Sequence, residues 1–466
     1  MASSEMEAAA AHGLTAKLID KASRLRFDEL PADVRRVARD CLTDWLGCTF
    51  AALDEPVSKI VAASARDEGG HPQATLIGQG TKGSVVQAAL VNGTTSHALD
   101  YDDLNLIVPG HLSAAIIPAL LALAEFREAS GADFIAAFVA GYETACRIGT
   151  LVEPAHYANG FHATATIGSL GAAMACAHLL KLSPTQASHA LGIAGTQAAG
   201  LKAMFGSMAK PLHAGLASQS GLRSVLLAQK GLISRGDVLE CAQGFSRVHG
   251  DDFHPQEALA TPAGGYHLLN NLFKFHAACY STHSTIEAVA GLRHEHDLDP
   301  GSVLQIDVLA DDGCSICNIQ SPVTGLEAKF SLRASAAFAL LGIDTSALES
   351  WGRVTEPEVV SVLNRVEVEL VPGMTLSDSV VTVHLRDGHK LRREFDCGSP
   401  MREKAAQSER VSAKFTAIAS PVIGIDPCKR VLSLLDGLEG EPNLGKLMDS
   451  CRDTPTTGAR LKQIPG

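Results

Sequence analysis

The sequence predicts a mainly α-helical protein with a second, smaller α+β domain. Residues 13–260 carry apolar side chains at three-to-four-residue spacing, whereas alternation of apolar and polar residues begins only after about residue 265. Glycines are abundant (42) and aromatic residues make up only 5% of the chain, which is typical of helices packed closely together. A chain of 466 residues also exceeds what one hydrophobic core usually supports.

The helical domain is predicted to span residues 13–264. Its first clear helix is predicted to begin at Leu30-Pro31-Ala32-Asp33. Pro31 is compatible with this start, because proline is tolerated in the first turn of a helix. The segment 167–177 is apolar or small on every face, which predicts a helix in the middle of a bundle. Further apolar helices are expected at 113–128, 132–148, 164–182, 184–198 and 211–230.

The α+β domain, interpreted as a lid, is predicted to span residues 265–398. Its strongest signal is a hairpin, in which Asp387-Gly388 separates two alternating runs at 380–385 and 390–395. Other strands are expected at 303–309 and 366–371, and helices at 281–293 and 327–341. Residues 399–466 are helical again and are predicted to return to the first domain.

The composition argues against several classes of partner. The formal net charge is −12 and no cluster of Lys and Arg is long enough to bind nucleic acid. We find no apolar run of the ~20 residues that a membrane span needs. Met1–His12 has no basic segment before an apolar one, and the 11 cysteines show no framework spacing. A reduced, cytoplasmic location is therefore expected.

Cys314 and Cys317 form a C-x-x-C pair. A zinc site normally needs a second such pair, and a thioredoxin-like redox site needs a surrounding βαβ pattern. Neither is present in the sequence, so both residues are interpreted as buried thiols.

Gly78-Gln79-Gly80-Thr81-Lys82-Gly83 matches the G-x-G-x-x-G motif of dinucleotide-binding folds. That motif binds a nucleotide only between a strand and a helix of a parallel sheet, and helices dominate on both sides here. The motif is therefore predicted to be a turn, and no NAD is expected.

The densest group of ionisable residues is the segment from His97 to Asp103, followed by His111. Three carboxylates within four residues repel one another and raise the pKa of at least one, unless a cation or hydrogen bonds compensate. Three interpretations remain open on spacing alone. The segment is a solvated turn that caps a helix, a divalent metal site with Asp100, Asp103 and a histidine, or a catalytic loop in which Asp100 orients His111.

Three further ionisable residues lie in segments that otherwise carry few groups able to take part in chemistry. His162 precedes the all-small helix, where it is either an ordinary core or capping residue or a group directed into the bundle end. Lys210 lies directly ahead of Pro211 at a helix start, which suits an anion-binding or basic role as well as an exposed lysine. Lys274 lies between aromatic residues at the predicted domain change, where clefts tend to form.

The segment His97-Ala98-Leu99-Asp100-Tyr101-Asp102-Asp103 resembles the H-A-L-D-[FY]-D-D signature of the MmgE/PrpD family. The resemblance continues, in order, at Gly141-Tyr142-Glu143 with Arg147, at Gly160-Phe161-His162, at Lys210-Pro211-Leu212-His213-Ala214-Gly215 and at residues 322–332. It implies a helical domain with an α+β lid, a homodimer, and activity on small polycarboxylic acids by moving a proton at carbon, with neither metal nor cofactor.

The resemblance also implies roles for individual residues. The catalytic residues would be Asp100, His111, Lys210 and Lys274. The residues that bind substrate would be His162, Arg147, Tyr142, Phe275 and Asp103.

The family includes 2-methylcitrate dehydratase, cis-aconitate decarboxylase and an epimerase of iminodisuccinate. In the decarboxylase branch a basic residue follows the lysine at 274 and a tyrosine stands four residues after Phe330, but this chain has Phe275 and Ala334. The spacing from Asp100 to His111 is also one residue longer than expected. These departures favour an epimerase of iminodisuccinate. The alternatives are a dehydratase or decarboxylase of a methylcitrate-like or aconitate-like acid, a metal-assisted lyase or hydrolase, and a non-enzymatic binding module.

Overall fold

A computed structural model describes residues 13–452, which divide into two compact units. One unit comprises 13–273 and 403–452, and the other comprises 274–402. The interpretation of Met1–His12 and of residues beyond 452 falls outside this range. The predicted fold class, mainly α with an α+β part, is confirmed.

The first unit is helical apart from one short hairpin. Its helices up to the second unit are α1 Leu14–Ser23, α2 Ala32–Ala51, α3 Pro56–Glu68, α4 Val85–Ser96, α5 Leu112–Phe126, α6 Gly131–Val152, α7 Ala155–Ala158, α8 Ala163–Leu179, α9 Pro184–Gly195, α10 Ala209–Gln229, α11 Phe245–His249 and α12 Pro255–Leu259. After the second unit, the chain adds α17 Lys404–Ile423, α18 Ile425–Asp436 and α19 Gly445–Arg452.

The centre of the first unit is helix α8, whose residues from Ala163 to Ala177 are all buried. It packs against α6 so closely that a Cβ atom added at Gly141 would lie 2.6 Å from the carbonyl oxygen of Gly171. Glycine is required at this approach because any side chain would overlap backbone atoms. The prediction of a small-residue helix in the middle of the bundle is confirmed.

Helix α6, Gly131–Val152, is the one helix of residues 13–452 that has the length and apolar composition of a membrane span. The sequence-based prediction that no run is long enough was therefore wrong for this helix. The most apolar window is 94% buried within the protein, as in the core helix of a globular domain. This helix is accordingly weak support for a membrane location.

The G-x-G-x-x-G motif lies in a hairpin, as predicted for a turn. Strands β1 Ala74–Leu76 and β2 Thr81–Gly83 pair in antiparallel fashion. Gly78 (φ 69°) and Gly80 (φ 68°) adopt the left-handed conformation that the turn needs. Antiparallel pairing differs from the parallel sheet of a dinucleotide site.

The second unit is built on a four-stranded sheet with the order β4-β3-β5-β6. Its strands are β3 Val303–Asp311, β4 Val366–Val371, β5 Asp378–Leu385 and β6 Lys390–Asp396, with only the β3–β4 pair parallel. The predicted hairpin is confirmed as β5–β6. The helices of this unit are α13 His283–His296, α14 Gly325–Ala328, α15 Leu332–Leu341 and α16 Pro357–Leu363.

One predicted helix of the second unit, 327–341, is interrupted. The side chain of Ser331 accepts a hydrogen bond from the Ala334 amide and so caps the start of α15. Helix α14 ends three residues earlier, at Ala328. Local capping therefore divides an apolar pattern that looks continuous in the sequence.

Candidate active site

Close packing of helices α4 and α10 brings together two chain segments that carry candidate site residues. Helix α4 begins with a capping box between Ser84 and Gln87, which fixes its start. A Cβ atom added at Gly93 of α4 would lie 2.9 Å from the Cα atom of Gly215 in α10. This approach holds the loop after α4, which starts at His97, near the first turn of α10.

Asp100 lies between a lysine and a histidine. Its Oδ1 atom accepts a hydrogen bond from the Nζ atom of Lys210 at 2.6 Å and lies 3.4 Å from the Nε2 atom of His111. The Asp100 side chain is 40% exposed, against 16% for Lys210 and 11% for His111. This carboxylate is therefore the most open of the three groups, and an entering anion meets Lys210 at the same place.

Asp102 is buried between two histidines. Its carboxylate accepts a hydrogen bond from the Nδ1 atom of His97 at 2.9 Å and lies 3.2 Å from the Nδ1 atom of His111. Burial alone would raise the pKa of Asp102, but His97 and His111 outweigh it and hold that pKa well below its usual range. Asp102 thus stays ionised, and its hydrogen bond with His97 favours a proton on the Nδ1 atom of that ring.

His162 and His213 extend the group of imidazoles. Their Nδ1 atoms lie 3.1 Å apart, and the ring of His162 is stacked on that of His97 with 6.2 Å between centroids. Burial, with smaller contributions from the neighbouring His97 and Lys210, lowers the pKa of His162 to about 2. His162 is therefore a neutral ring at working pH and acts as a hydrogen-bonding group.

Asp103 belongs to a different, fully buried network. Its carboxylate accepts hydrogen bonds from Ser113 at 2.7 Å and from the side-chain amide of Asn271 at 3.0 Å. Burial, reinforced by the negative charge of Asp44, raises the pKa of Asp103 to about 7. The sequence predicted that mutual repulsion raises the pKa of at least one carboxylate of this segment. The pKa of Asp103 is raised, but burial and Asp44 are the main causes and the contribution of Asp102 is smaller.

A buried ion pair stabilises this second network. The ammonium of Lys414 in α17 donates to Asp44 and to the carbonyl of Tyr101, both at 2.6 Å. The other oxygen of Asp44 accepts the backbone N–H of Asp103 at 3.0 Å. Lys414 therefore ties the backbone on both sides of Asp102 to a helix from the far end of the chain.

Tyr142 and Arg147, both predicted to bind substrate, make their hydrogen bonds to protein groups. The Tyr142 hydroxyl donates to Asn271 at 2.6 Å and accepts from Asn105 at 3.1 Å. The Arg147 guanidinium donates to the carbonyls of Ala258 and Ala260 at 2.8 and 2.7 Å. These contacts, like those of Asp103, favour a supporting role over direct contact with substrate.

Lys274 and Phe275 lie in the second unit. Lys274, the first residue of that unit, is 3% exposed, and its positive charge acts on the thiol of Cys317. Phe275 is half-buried. Both stay predicted site residues.

Sequence reasoning missed His97, Asp102 and His213 as site residues. His97 and Asp102 flank Asp100 in the signature itself, so their residue types were visible, but the contact of one carboxylate with two imidazoles exists only in the fold. His213 lies three residues after Lys210 on the same helix, a spacing that puts both side chains on one face. That spacing was the signal available in the sequence.

The metal interpretation involves a different set from the one predicted. Ligand atoms of His97, Asp100, Asp102 and His111 lie within 4.8 Å of one another, whereas Asp103 is outside this set. The donor types suit a divalent ion. However, Lys210 already places an ammonium 2.6 Å from Asp100, and Asp102 is paired with both imidazoles. This arrangement favours acid–base use of the groups over metal binding.

Histidines, carboxylates and a lysine converge at one loop of a helical scaffold, and this set of groups suits acid–base chemistry. Residues 16–258 match the MmgE/PrpD N-terminal domain and residues 276–439 match the MmgE/PrpD C-terminal domain. The chain belongs to the MmgE/PrpD family.

Several curated relatives are similar to this chain over most of its length. A cis-aconitate decarboxylase of Aspergillus terreus is 27% identical, with 94% of this chain and 95% of the relative covered. The cis-aconitate decarboxylase of Homo sapiens is 29% identical, with 89% of each chain covered. That of Mus musculus is 27% identical, with 89% of this chain and 88% of the relative covered.

Proposed function

We propose that the chain is a cofactor-independent lyase that removes CO₂ from a small unsaturated polycarboxylic acid, with cis-aconitate as the first substrate to test. The observation that carries the proposal is the contact of Asp100 with both Lys210 and His111, which puts a cation and an acid–base ring at one open position. The relatives named cis-aconitate decarboxylase support a lyase over the epimerase that the sequence departures favoured.

Loss of CO₂ breaks a C–C bond and leaves its electron pair on the substrate, delocalised over the neighbouring double bond and carboxylate. A cation must stabilise this charge as it develops, which is usually the largest catalytic contribution. Lys210 supplies an ammonium, since a substrate carboxylate can replace Asp100 as its partner. A role for Lys274 in binding a carboxylate is proposed from the family resemblance alone.

The resulting carbanion is then protonated at carbon. His111 is the proposed proton donor in its doubly protonated form. The Asp102 carboxylate stabilises the charged ring from the Nδ1 side, and Nε2–H, near Asp100, gives its proton to carbon and leaves a neutral ring. A positioned general acid of this kind contributes about 10²–10⁴ in rate. His162, kept neutral by burial, donates or accepts a hydrogen bond at the substrate.

An epimerase of a dicarboxylate such as iminodisuccinate is the second candidate. It is favoured by Phe275 and by Ala334, which is buried in the first turn of α15 where the decarboxylase branch has a tyrosine. Without that phenol and a basic residue after Lys274, fewer carboxylates would be bound. The same acid and base would then remove a proton from one face of a carbon and return it to the other.

The test is proton NMR in D₂O of the purified, chelator-treated protein with cis-aconitate, citrate, methylcitrate and iminodisuccinate. A new vinyl signal from cis-aconitate, with release of CO₂, supports the decarboxylase. A vinyl signal from citrate or methylcitrate without release of CO₂ indicates dehydration. Deuterium entering iminodisuccinate with inversion and no other loss supports the epimerase, and the absence of any turnover contradicts all three.

Two variants tie the turnover to the site. His111→Asn is expected to lower it by about 10² or more, since the proton donor is lost. The matched control is His178→Asn, which removes a half-buried histidine bound only to the carbonyl of Leu25 among the contacts described. Equal losses in both variants would contradict the assignment of His111.

We also propose a homodimer in a reduced, cytoplasmic compartment. All 11 cysteines lie within the described range and none of them forms a disulfide, which supports a reducing environment. Light scattering of the purified protein measures the assembly, and a monomer mass would contradict the dimer.

A further inference from the structure

The second unit gathers three cysteines that are separated in sequence. Cys314 and Cys317 are both buried, as predicted, in a cluster with Ala310 and Leu332, and Cys279 packs against that cluster. Cys279 immediately precedes the 3-10 turn Tyr280–Thr282, which packs on the 3-10 turn that contains both other cysteines. The C-x-x-C pair of the sequence therefore has a third thiol beside it.

The hydrogen bonds of these thiols select one pair. A side-chain hydrogen bond joins the sulfurs of Cys317 and Cys279. The thiol of Cys314 instead faces the carbonyl oxygen of Leu376 at 3.7 Å. The hydrogen bond to Cys279, together with burial, raises the pKa of Cys317, so Cys317 keeps its proton. Cys317 thus shares a hydrogen bond with Cys279, whereas Cys314 makes its hydrogen bonds to Ser281 and Leu376 and meets Cys279 only through the charge of the thiolate.

Of the three cysteines, Cys279 has the surroundings expected of a nucleophilic sulfur. It is half-buried, whereas Cys314 and Cys317 are fully buried. It shares a hydrogen bond with the thiol of Cys317, on which the ammonium of Lys274 acts. A partly accessible sulfur near a positive charge and a second thiol is the usual environment of a reactive cysteine.

We propose that Cys279 and Cys317 are a disulfide-forming pair that is oxidised by a hydroperoxide. The Cys279 thiol gives its proton to solvent, and the thiolate attacks the hydroxyl oxygen of the peroxide. An S–O bond forms, the O–O bond breaks, and the leaving alkoxide (or hydroxide from hydrogen peroxide) takes a proton from solvent, which leaves Cys279 as a sulfenic acid. The Cys317 sulfur then attacks the sulfenic sulfur, an S–S bond forms, and hydroxide leaves with the Cys317 proton as water. Two electrons pass from the sulfurs to the peroxide.

The experiment maps the linkage in the full chain after treatment with hydrogen peroxide. Remaining thiols are alkylated, the protein is digested without reductant, and the peptides are identified by tandem mass spectrometry. The expected product joins the peptide with Cys279 to the peptide with Cys317, at a mass lower by two hydrogens, and disappears after reduction. A bond between Cys314 and Cys317, or oxidation of Cys279 to a sulfinic acid without a linkage, would overturn the proposal.

Two variants provide a matched comparison, because Cys314 and Cys317 are equally buried in one turn. The linked peptide is expected to persist in Cys314→Ala and to be absent from Cys317→Ala, with circular dichroism checking that both are folded. A linked peptide in Cys317→Ala would show that Cys314 is the partner and would overturn the pairing. The wild-type linkage map decides the question even if a variant does not fold.

Discussion

Asp102 and Asp103 are adjacent in sequence and both buried, yet their surroundings are opposite. Asp102 contacts two imidazoles, which hold its pKa well below the usual range despite burial. Asp103 accepts hydrogen bonds from neutral groups and lies near the negative charge of Asp44, so burial raises its pKa to about 7. The difference indicates that the charge of the neighbouring groups, more than the degree of burial, decides whether a buried carboxylate is ionised or protonated.

The largest expected effect concerns turnover. Asp102→Asn should lower it by about 10²–10⁴, because an amide carries no negative charge to stabilise the charged His111 ring. Asp103→Asn should lose far less, since an amide resembles the protonated carboxyl group. Steady-state rates with the substrate identified by NMR measure both, and equal losses would remove the functional distinction between the two aspartates.

The next largest effect concerns the stability of the buried network that contains Asp103. Lys414→Met leaves Asp44 as an unpaired buried charge and should lower the free energy of unfolding by about 3–5 kcal/mol. The double variant Lys414→Met with Asp44→Leu should recover much of this loss. Guanidinium unfolding measures both proteins. Lys446→Met, which removes an exposed ion pair with Glu441, is the control and should change little.

A further effect is expected in the pH dependence of stability. The folded chain keeps a proton on Asp103 up to pH about 7, whereas the unfolded chain releases it near 3.8. This group therefore favours folding at low pH, and its contribution is lost as pH rises through that window, by about 4 kcal/mol. Asp103→Asn should flatten the profile there, and an unchanged slope in denaturant titrations would contradict the raised pKa.

Asp102 should act in the opposite direction on the acid side. Its folded pKa is depressed, so its contribution is present above its ordinary value of 3.8 and is lost as pH falls through the lower, folded value. Asp102→Asn should therefore make unfolding less dependent on pH below about 4. Asp102→Asn and Asp103→Asn should therefore change the pH dependence of the free energy of unfolding in opposite directions.

Local patterns predicted much of the fold, but the contacts of the site depend on distant parts of the chain. Asp387-Gly388 between alternating runs was sufficient for the β5–β6 hairpin, and small residues on all faces were sufficient for the central helix. Lys414 could not be foreseen as a partner of Asp44, since the two residues are 370 positions apart. Cys279 likewise meets the C-x-x-C pair only through tertiary packing.

At Asp100, the residue type that is best for stability differs from the one that the proposed mechanism needs. Asp100 has a φ of 51°, a left-handed conformation that costs an ordinary residue about 1–2 kcal/mol and costs glycine little. Selection for thermal resistance alone would therefore tolerate glycine here, although the partner of Lys210 and His111 would be lost. A library screened only for stability is expected to accumulate inactive proteins at this residue, and a paired assay of melting and turnover on Asp100→Gly reveals that trade-off.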